Sequence, residues 1–546
     1  MHYFRAGGCC AKSVQTGAGR DARTDGERTA ISTRLREMTA AHPWMTVPGR
    51  TWSFPGFLHC STLTHLGSQC LYRQLRRFPA DAQQSENFLR SGEMLGGDPA
   101  LRERIQMTLA TLDADSGAMV IDYLLDPPVE RLSYPRLTLV WSILCVGLLS
   151  GMALSLVPLG LAIPMFAVNV AVTARKARQR YDRTEALRLM HRMVGAARTL
   201  AALAPNQPIA QLQALAAEGR ACERARRALR TMEFSNRLPL GLGSWLNFLC
   251  LADWVAYRFT AQRLPVLSAD LLRIYDLVGS LDAAIALASF LEHTPTWCRP
   301  GASADGEIEI DGGYHPLLPS PILNSLYVHD RSALISGSNM GGKTTFIKMI
   351  GINVILGRNL GICLATRARI PHVPVMACIR TQQSVESGKS RYFDEIEAIL
   401  SFLRSGPQAP LLVLDEPFSG TNTTERIAAA KAVLRALSVH SGVLATTHDV
   451  ELQALLADRF DLYHFQERPD LDALFDYVLR PGPCTEGNAL RLLARVGFPP
   501  EIVEEAMAFV EGRGGSRAER LECASAAHAG CAAVQRDETV SLAGEA

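Results

Sequence analysis

Apolar and polar positions follow several different periods along this chain. From residue 57 to about 126, Leu71, Leu75, Phe88, Leu89, Leu101, Ile105, Leu109 and Leu112 are separated mostly by polar residues, as in amphipathic helices. Asp98-Pro99 ahead of Leu101 predicts a helix start, because the aspartate accepts orphan N–H groups and proline suits the first turn. From Leu137 to Val172 the alternation stops, leaving 36 consecutive positions without a charge. One membrane crossing needs about 20 apolar residues, so the run predicts two short crossings that reverse at Ser155–Gly160. The alternative is a helical pair buried in a soluble core, favoured by Pro164 and Asn169 in the second limb.

Basic residues flank the run on both sides. Arg131 and Arg136 precede it, and Arg175, Lys176, Arg178, Arg180 and Arg183 follow, which places both ends of a hairpin in the cytoplasm. Arg175–Arg230 then reads as helical, with Leu187, Met190, Val194 and Ala197 as its apolar stripe. Arg220, Arg224, Arg226, Arg227 and Arg230 form a basic cluster that suits a phosphate backbone, an anionic lipid surface or a plain solvated face. Leu238–Ala256 is apolar but carries Asp253, and it is expected to be a buried helix and not a third crossing. Short apolar runs of strand length come next, at Ser332–Ser336, Leu411–Glu416 and Gly442–Asp449.

Composition narrows this picture only a little. The 546 residues imply roughly three to four domains. A formal net charge of +2 does not mark a bulk nucleic-acid binder. The 13 cysteines are scattered without a CxxC pair, which suggests reduced intracellular thiols and no zinc site. Residues 1–55 lack both apolar periodicity and a secretory core, and 513–546 are small and polar; both segments are expected to be disordered.

The candidate chemistry lies in the strand-rich part. Gly337, Ser338, Asn339, Met340, Gly341, Gly342, Lys343, Thr344 and Thr345 join a short strand to a helix in the spacing of a phosphate-binding loop. Backbone N–H groups and the helix dipole there converge on one anion, expected to be ATP. Lys343 would reach the β- and γ-phosphates, and the Thr344 hydroxyl would hold Mg2+. At the end of Leu411–Glu416, Asp415 would hold Mg2+ through water, while Glu416 would orient or deprotonate the attacking water. His448, near the end of the run Gly442–Asp449, would sense the γ-phosphate. The expected catalytic residues are Glu416, His448 and Lys343.

These residues resemble the MutS mismatch-repair ATPases. The resemblance rests on Asn339-Met340-Gly341-Gly342-Lys343, on Asp415-Glu416 running into Gly420-Thr421-Asn422-Thr423, and on Ala445-Thr446-Thr447-His448. Ser387-Gly388-Lys389-Ser390 ahead of an acidic helix, and Tyr477-Val478-Leu479 leading to Gly487-Asn488-Ala489 and Gly497-Phe498-Pro499, are similar as well. It is strong from about Asp311 to Val510 and faint over 63–127 and 187–292.

The resemblance implies a homodimer with composite sites, in which Ser387, Gly388 and Ser390 approach the partner's γ-phosphate, and binding of mismatched or branched DNA. Two departures stand against that. No equivalent of the family's mismatch-sensing N-terminal domain precedes Phe57, and the apolar run 137–172 interrupts the region of the DNA-embracing levers. The alternative is a membrane-anchored ATP-driven switch or scaffold with a protein or lipid client, at the cytoplasmic face of the inner (plasma) membrane; a purely cytoplasmic protein is the other placement.

The expected architecture is α + α/β. It comprises a disordered segment (1–55), a helical region (56–133), a transmembrane hairpin (134–174), a core- or lever-like helical region (175–300), a P-loop parallel α/β ATPase domain (301–512) and a disordered tail (513–546).

Overall fold

The computed structural model describes residues 62–79, 82–112, 120–121, 123–124, 135–174, 177–230, 249–303, 307–328, 332–338, 341–379, 391–404, 409–467, 475–484, 493–494 and 497–512. The expectations for 1–55, for 513–546, for Leu238–Phe248, and for Asn339, Met340, Ser387, Gly388 and Ser390 lie outside the described residues. The chain falls into two compact units: residues 1–321, 349–377 and 406–411, and residues 322–348, 378–405 and 412–546.

The first unit is mainly helical. Its helices are α1 (His65–Arg76), α2 (Ala82–Gly97), α3 (Pro99–Leu109), α4 (Pro135–Ala153), α5 (Ala162–Ala174), α6 (Ala177–Ala201), α7 (Ala210–Ala217), α8 (Gly219–Leu229) and α9 (Ala252–His293). The 42-residue α9 carries the core: Leu271, Ile274, Val278, Leu281 and Ile285, spaced by threes and fours, are fully buried. The eight apolar positions expected to mark helices between Leu71 and Leu112 are all buried, as is the Leu187, Met190, Val194, Ala197 stripe. Asp98 accepts from Leu101 N–H at 2.9 Å with Pro99 in the first turn, as the sequence predicts.

Close approach of α1 to α9 depends on small residues and one buried acid. A Cβ on Gly279 would stand 2.4 Å from Cys70 Sγ, so only glycine lets the two helices approach this closely. Fully buried Asp282 accepts from Thr64 N–H at 2.8 Å, Thr64 Oγ1 at 2.6 Å and Leu63 N–H at 3.1 Å. Thr64 Oγ1 in turn accepts from Gly67 N–H at 3.0 Å. One carboxylate thus supports the N-cap of a helix more than 200 residues earlier.

The uncharged run folds as α4 and α5, with a reversal at 154–161 where Ser155 is left-handed at φ 57°. Trp141 Nε1 donates to Asn169 Oδ1 at 2.9 Å, and Asn169 Nδ2 donates to the Leu249 carbonyl at 2.5 Å. Cys145, Met165 and Cys250 pack around that knot. Ile143, Leu154, Leu156 and Ile163 point outward at 61–77% exposure. Among the described residues, the one helix long and apolar enough to cross a membrane is α9 over Trp254–His293, and 67% of its apolar window is buried in the protein. The limbs of the expected hairpin are 19 and 13 residues long, and only Leu139–Ala153 is a shorter apolar helix by the same measure. The apolar stretch ending at Ala256 differs from expectation too. Its last residues are the first turn of α9, set off by a left-handed Leu251 at φ 53°.

After α9 the elements are β1 (Gly301–Ser303), β2 (Ile308–Gly313), β3 (Asn324–Val328), β4 (Ser332–Ser336), α10 (Lys343–Leu360), β5 (Arg367–Pro371), β6 (Val375–Cys378), α11 (Arg391–Leu403), β7 (Leu411–Asp415), α12 (Thr423–Leu437), β8 (Gly442–Thr447), α13 (Val450–Leu456), β9 (Asp461–Glu467), β10 (Phe475–Pro481) and α14 (Pro500–Gly512). In the first unit β5 pairs in parallel with β1 (Gly301 opposite Arg369) and antiparallel with β2 (Ile310 opposite Ala368). In the second unit, five strands of a six-stranded sheet run in the order β10-β9-β4-β8-β7. β4 is parallel to both β8 and β9, and β10 returns antiparallel to β9 with a bulge between Phe475 and Leu479. Every residue of β4 and β7 is buried, as expected for central strands covered on both faces. This order brings the segments that follow β4, β7 and β8 to one edge, where open α/β sheets bind ligands.

Candidate active site

The loop after β4 is shaped by backbone that a side chain would obstruct. Gly337 sits at φ 129°, and a Cβ there would lie 2.6 Å from the Phe465 carbonyl oxygen of β9. Gly341 N–H donates to Ser338 O at 3.2 Å, and Phe346 N–H to Gly342 O at 2.9 Å, which closes the turn into α10. Thr345 is exposed on the first turn of that helix.

Lys343 opens α10 and is almost wholly buried, with its Nζ donating to the carbonyls of Gly337 at 2.7 Å and Ser338 at 2.8 Å. Glu416 Oε1 lies 3.7 Å from Nζ. Burial pushes the Lys343 ammonium down to about 8, against the opposing charges of Glu416 and Asp415. His448 Nε2 contacts Glu416 Oε1, and His448 Nδ1 lies 3.3 Å from Lys343 Nζ and 3.0 Å from the Gly337 carbonyl oxygen. Nε2–H donates to the carboxylate, while Nδ1 faces both the lysine ammonium and the Gly337 carbonyl oxygen, and its role toward each is set by the ring's protonation. The imidazole then bridges a cation and an anion.

Beside this group the Thr344 hydroxyl lies 3.0 Å from both carboxylate oxygens of Asp415. Thr446 on β8 joins the two acids: its Oγ1 donates to Asp415 Oδ1 at 2.8 Å and accepts from Glu416 N–H at 3.0 Å. Glu416 at φ 50° and Phe418 at φ 63° are left-handed, so the chain turns sharply straight after the strand. Glu395 of α11 accepts from Phe418 N–H at 2.7 Å and holds that turn. Arg426 of α12 forks onto Asp449 with bonds of 2.9 and 2.6 Å, fixing the residue after His448.

The structure therefore gathers Gly337, Ser338, Gly341, Gly342, Lys343, Thr344, Asp415, Glu416 and His448 within one unit. Sequence reasoning missed several of their neighbours. Thr446 lies inside the motif Ala445-Thr446-Thr447-His448, but only the fold sets its hydroxyl beside Asp415. The Tyr477 ring reaches 3.2 Å from where a Gly342 Cβ would stand. Asn324 clamps the left-handed Tyr477 by donating to its carbonyl at 2.9 Å and accepting from Leu479 N–H at 2.7 Å. Only the fold brings 324 and 477 together.

Comparison with known proteins agrees with this geometry. Residues 333–512 match MutS domain V. The chain is 30% identical over 250 residues to the DNA mismatch repair protein MutS 2 of Halobacterium salinarum, covering 43% of this chain and 29% of that protein. Endonuclease MutS2 of Thermus thermophilus is 32% identical over 223 residues (39% and 30%), and endonuclease MutS2 of Streptococcus pyogenes 30% over 236 (42% and 30%). The chain thus spans under a third of the length of these relatives. Residues 333–512, about a third of the chain, match MutS domain V, and over that stretch the chain is similar to the MutS family.

Proposed function

We propose that this chain is a MutS-type ATPase that works as a homodimeric clamp on mismatched or branched DNA. The observation that carries the reading is the convergence of Lys343, Thr344, Asp415, Glu416 and His448 at one sheet edge. Thr344 and Asp415 offer hard oxygen donors side by side, a fit for Mg2+. Held by Thr344 and Asp415, Mg2+ would supply positive charge against the phosphates. Lys343 would exchange the loop carbonyls for β- and γ-phosphate oxygens. Glu416, on its left-handed turn, would orient the attacking water and take its proton, with His448 holding the carboxylate in place. Ser387, Gly388 and Ser390 are assigned to the partner's γ-phosphate on the strength of the resemblance alone. Similarity to mismatch-repair proteins supports DNA as the client.

A second reading is favoured by the outward apolar side chains of α4 and α5. In it, residues 137–172 seat the chain in the cytoplasmic face of the inner membrane, and the ATPase drives a protein or lipid client. Release of the protein by carbonate, without detergent, sinks this placement.

Steady-state ATP hydrolysis by detergent-purified protein, with and without mismatched, branched and homoduplex DNA at two salt concentrations, separates the two. DNA stimulation that fades with salt supports the clamp on DNA, because phosphate contacts weaken steeply with salt. Turnover indifferent to all DNA supports the membrane switch. No ATP turnover under any condition overturns both.

A further inference from the structure

We propose that Cys298 and Cys363 form a redox-labile dithiol that closes to an intrachain disulfide. The two residues face each other in an isolated antiparallel bridge of the first unit. Cys298 N–H donates to Cys363 O at 2.9 Å, and Cys363 N–H donates to Cys298 O at 2.8 Å. Such a doubly bonded pair sets its Cα atoms about 5.5 Å apart with both side chains on the same face. Disulfides span Cα separations of roughly 4.4–6.8 Å, so the backbone is already within range. Cβ atoms of directly opposed residues stand about 4.5–5.5 Å apart, at the outer limit for a disulfide. The bond therefore closes under tension, and a strained disulfide is readily reduced.

The surroundings give each thiol its own part. Cys298 is half-buried, while Cys363 is completely buried with its Sγ donating to Asn353 O at 3.4 Å. Gly357 leaves room for that sulfur, since a Cβ there would come within 2.9 Å of it. Burial raises the Cys363 thiol well above its ordinary range, and a charge on Cys298 adds to the shift, as befits two sulfurs that sense each other. Cys298 is the entrance thiol and Cys363 the resolving one. Cys298 follows α9 and Cys363 follows α10, so closure joins the segments leaving these two helices just before Gly301 pairs with Arg369.

The oxidant is a low-molecular-weight disulfide, RSSR. Cys298 thiolate attacks one of its sulfurs, forming a Cys298–S–S–R bond and expelling RS⁻. Cys363, giving up its proton as it attacks, then displaces R from Cys298 Sγ and expels the second RS⁻. The two protons from the protein thiols pass to the two expelled thiolates. The cysteines give up two electrons, and RSSR is reduced by the same two.

Full-length protein is incubated with oxidised glutathione, and its free thiols are then alkylated under denaturing conditions and its peptides weighed. The expected result is a linked pair of peptides containing Cys298 and Cys363, lighter by two hydrogens than the reduced pair and restored by dithiothreitol. Cys298→Ser should abolish the link. Cys363→Ser should instead accumulate a glutathione adduct on Cys298, which keeps the test decisive if the first variant does not fold. Wild-type protein that stops at the Cys298 adduct, leaves both thiols free, or links Cys145 to Cys250 in their place overturns the proposal. No part of this test depends on nucleotide hydrolysis.

Discussion

The loop 337–344 and the uncharged run 137–172 are held in place by opposite means. Around the loop nearly every group is polar, and each one answers another: Lys343 to two carbonyls and Glu416, His448 to both, and Thr446 to both acids. In α4 and α5 the surface is apolar, and one polar knot, Asn169 with Trp141 and the Leu249 carbonyl, ties the pair to the segment before α9. The first region is poised to change with charge, whereas the second is poised to change with solvent.

The largest expected effect lies in the loop region. Glu416→Gln keeps the shape of the side chain but removes the carboxylate that would accept a proton from water. Turnover in a coupled assay should fall roughly 10²–10⁴-fold while nucleotide binding, measured by fluorescence titration, persists. A fall of less than about tenfold would remove Glu416 from the water-activating role and leave the polar cluster structural.

The second effect follows from the same network through pH. Burial holds Lys343 at about 8 against an ordinary 10.5. Free protein therefore loses the charge that would attract a triphosphate as pH rises past about 8. Affinity for ATP should weaken between pH 7 and 9, approaching tenfold per unit above about 8 when one proton is linked. Stability of the ligand-free protein runs the other way. The penalty of burying a charged lysine is full below about 8 and is relieved between there and 10.5. Glu416→Gln should start the loss of affinity at a lower pH, because Glu416 raises the Lys343 value. Equal affinities at pH 7 and 9 would show that the ammonium is not a phosphate ligand.

The contrast also explains what was legible in the sequence. A loop motif at fixed spacing, acids at a strand end and a histidine after a third strand are local signatures, so the residues that the fold gathers there could be picked out directly. Thr446, Glu395, Arg426 and Asn324 act through partners 23 to 155 positions away, and no local pattern records such pairings. The helical part was legible as buried stripes and as the Asp98 cap. The span of α9 was not, because it runs straight through Pro265, a residue that reads as a break but is carried by packing along the buried stripe. Asn169 read as a flaw in an apolar limb, whereas it is the limb's attachment.

That attachment gives the third effect. Asn169→Leu leaves the Trp141 indole N–H and the Leu249 carbonyl without their partner, and a buried group so orphaned costs about 1–3 kcal/mol. Thermal unfolding in detergent should reflect a loss of that order, and Trp141→Phe, which removes only the bond from the indole, a smaller one. If Asn169→Leu unfolds like wild type, the hairpin is attached by apolar packing alone and the contrast with the loop region becomes complete.

The smallest effect asks whether the two regions share backbone strain. Ser155 at φ 57° turns the hairpin, and Glu416 at φ 50° turns the chain after β7. A left-handed residue with a Cβ costs roughly 1–2 kcal/mol, which glycine avoids, although glycine gives back about 0.5–1 kcal/mol through a freer unfolded chain. Ser155→Gly should therefore be neutral to about 1 kcal/mol stabilising by thermal unfolding, and Glu416→Gly should relieve the same strain while losing turnover. If Ser155→Gly instead destabilises, the serine side chain is holding the reversal, and the strain at Glu416 stands alone as a feature of the site.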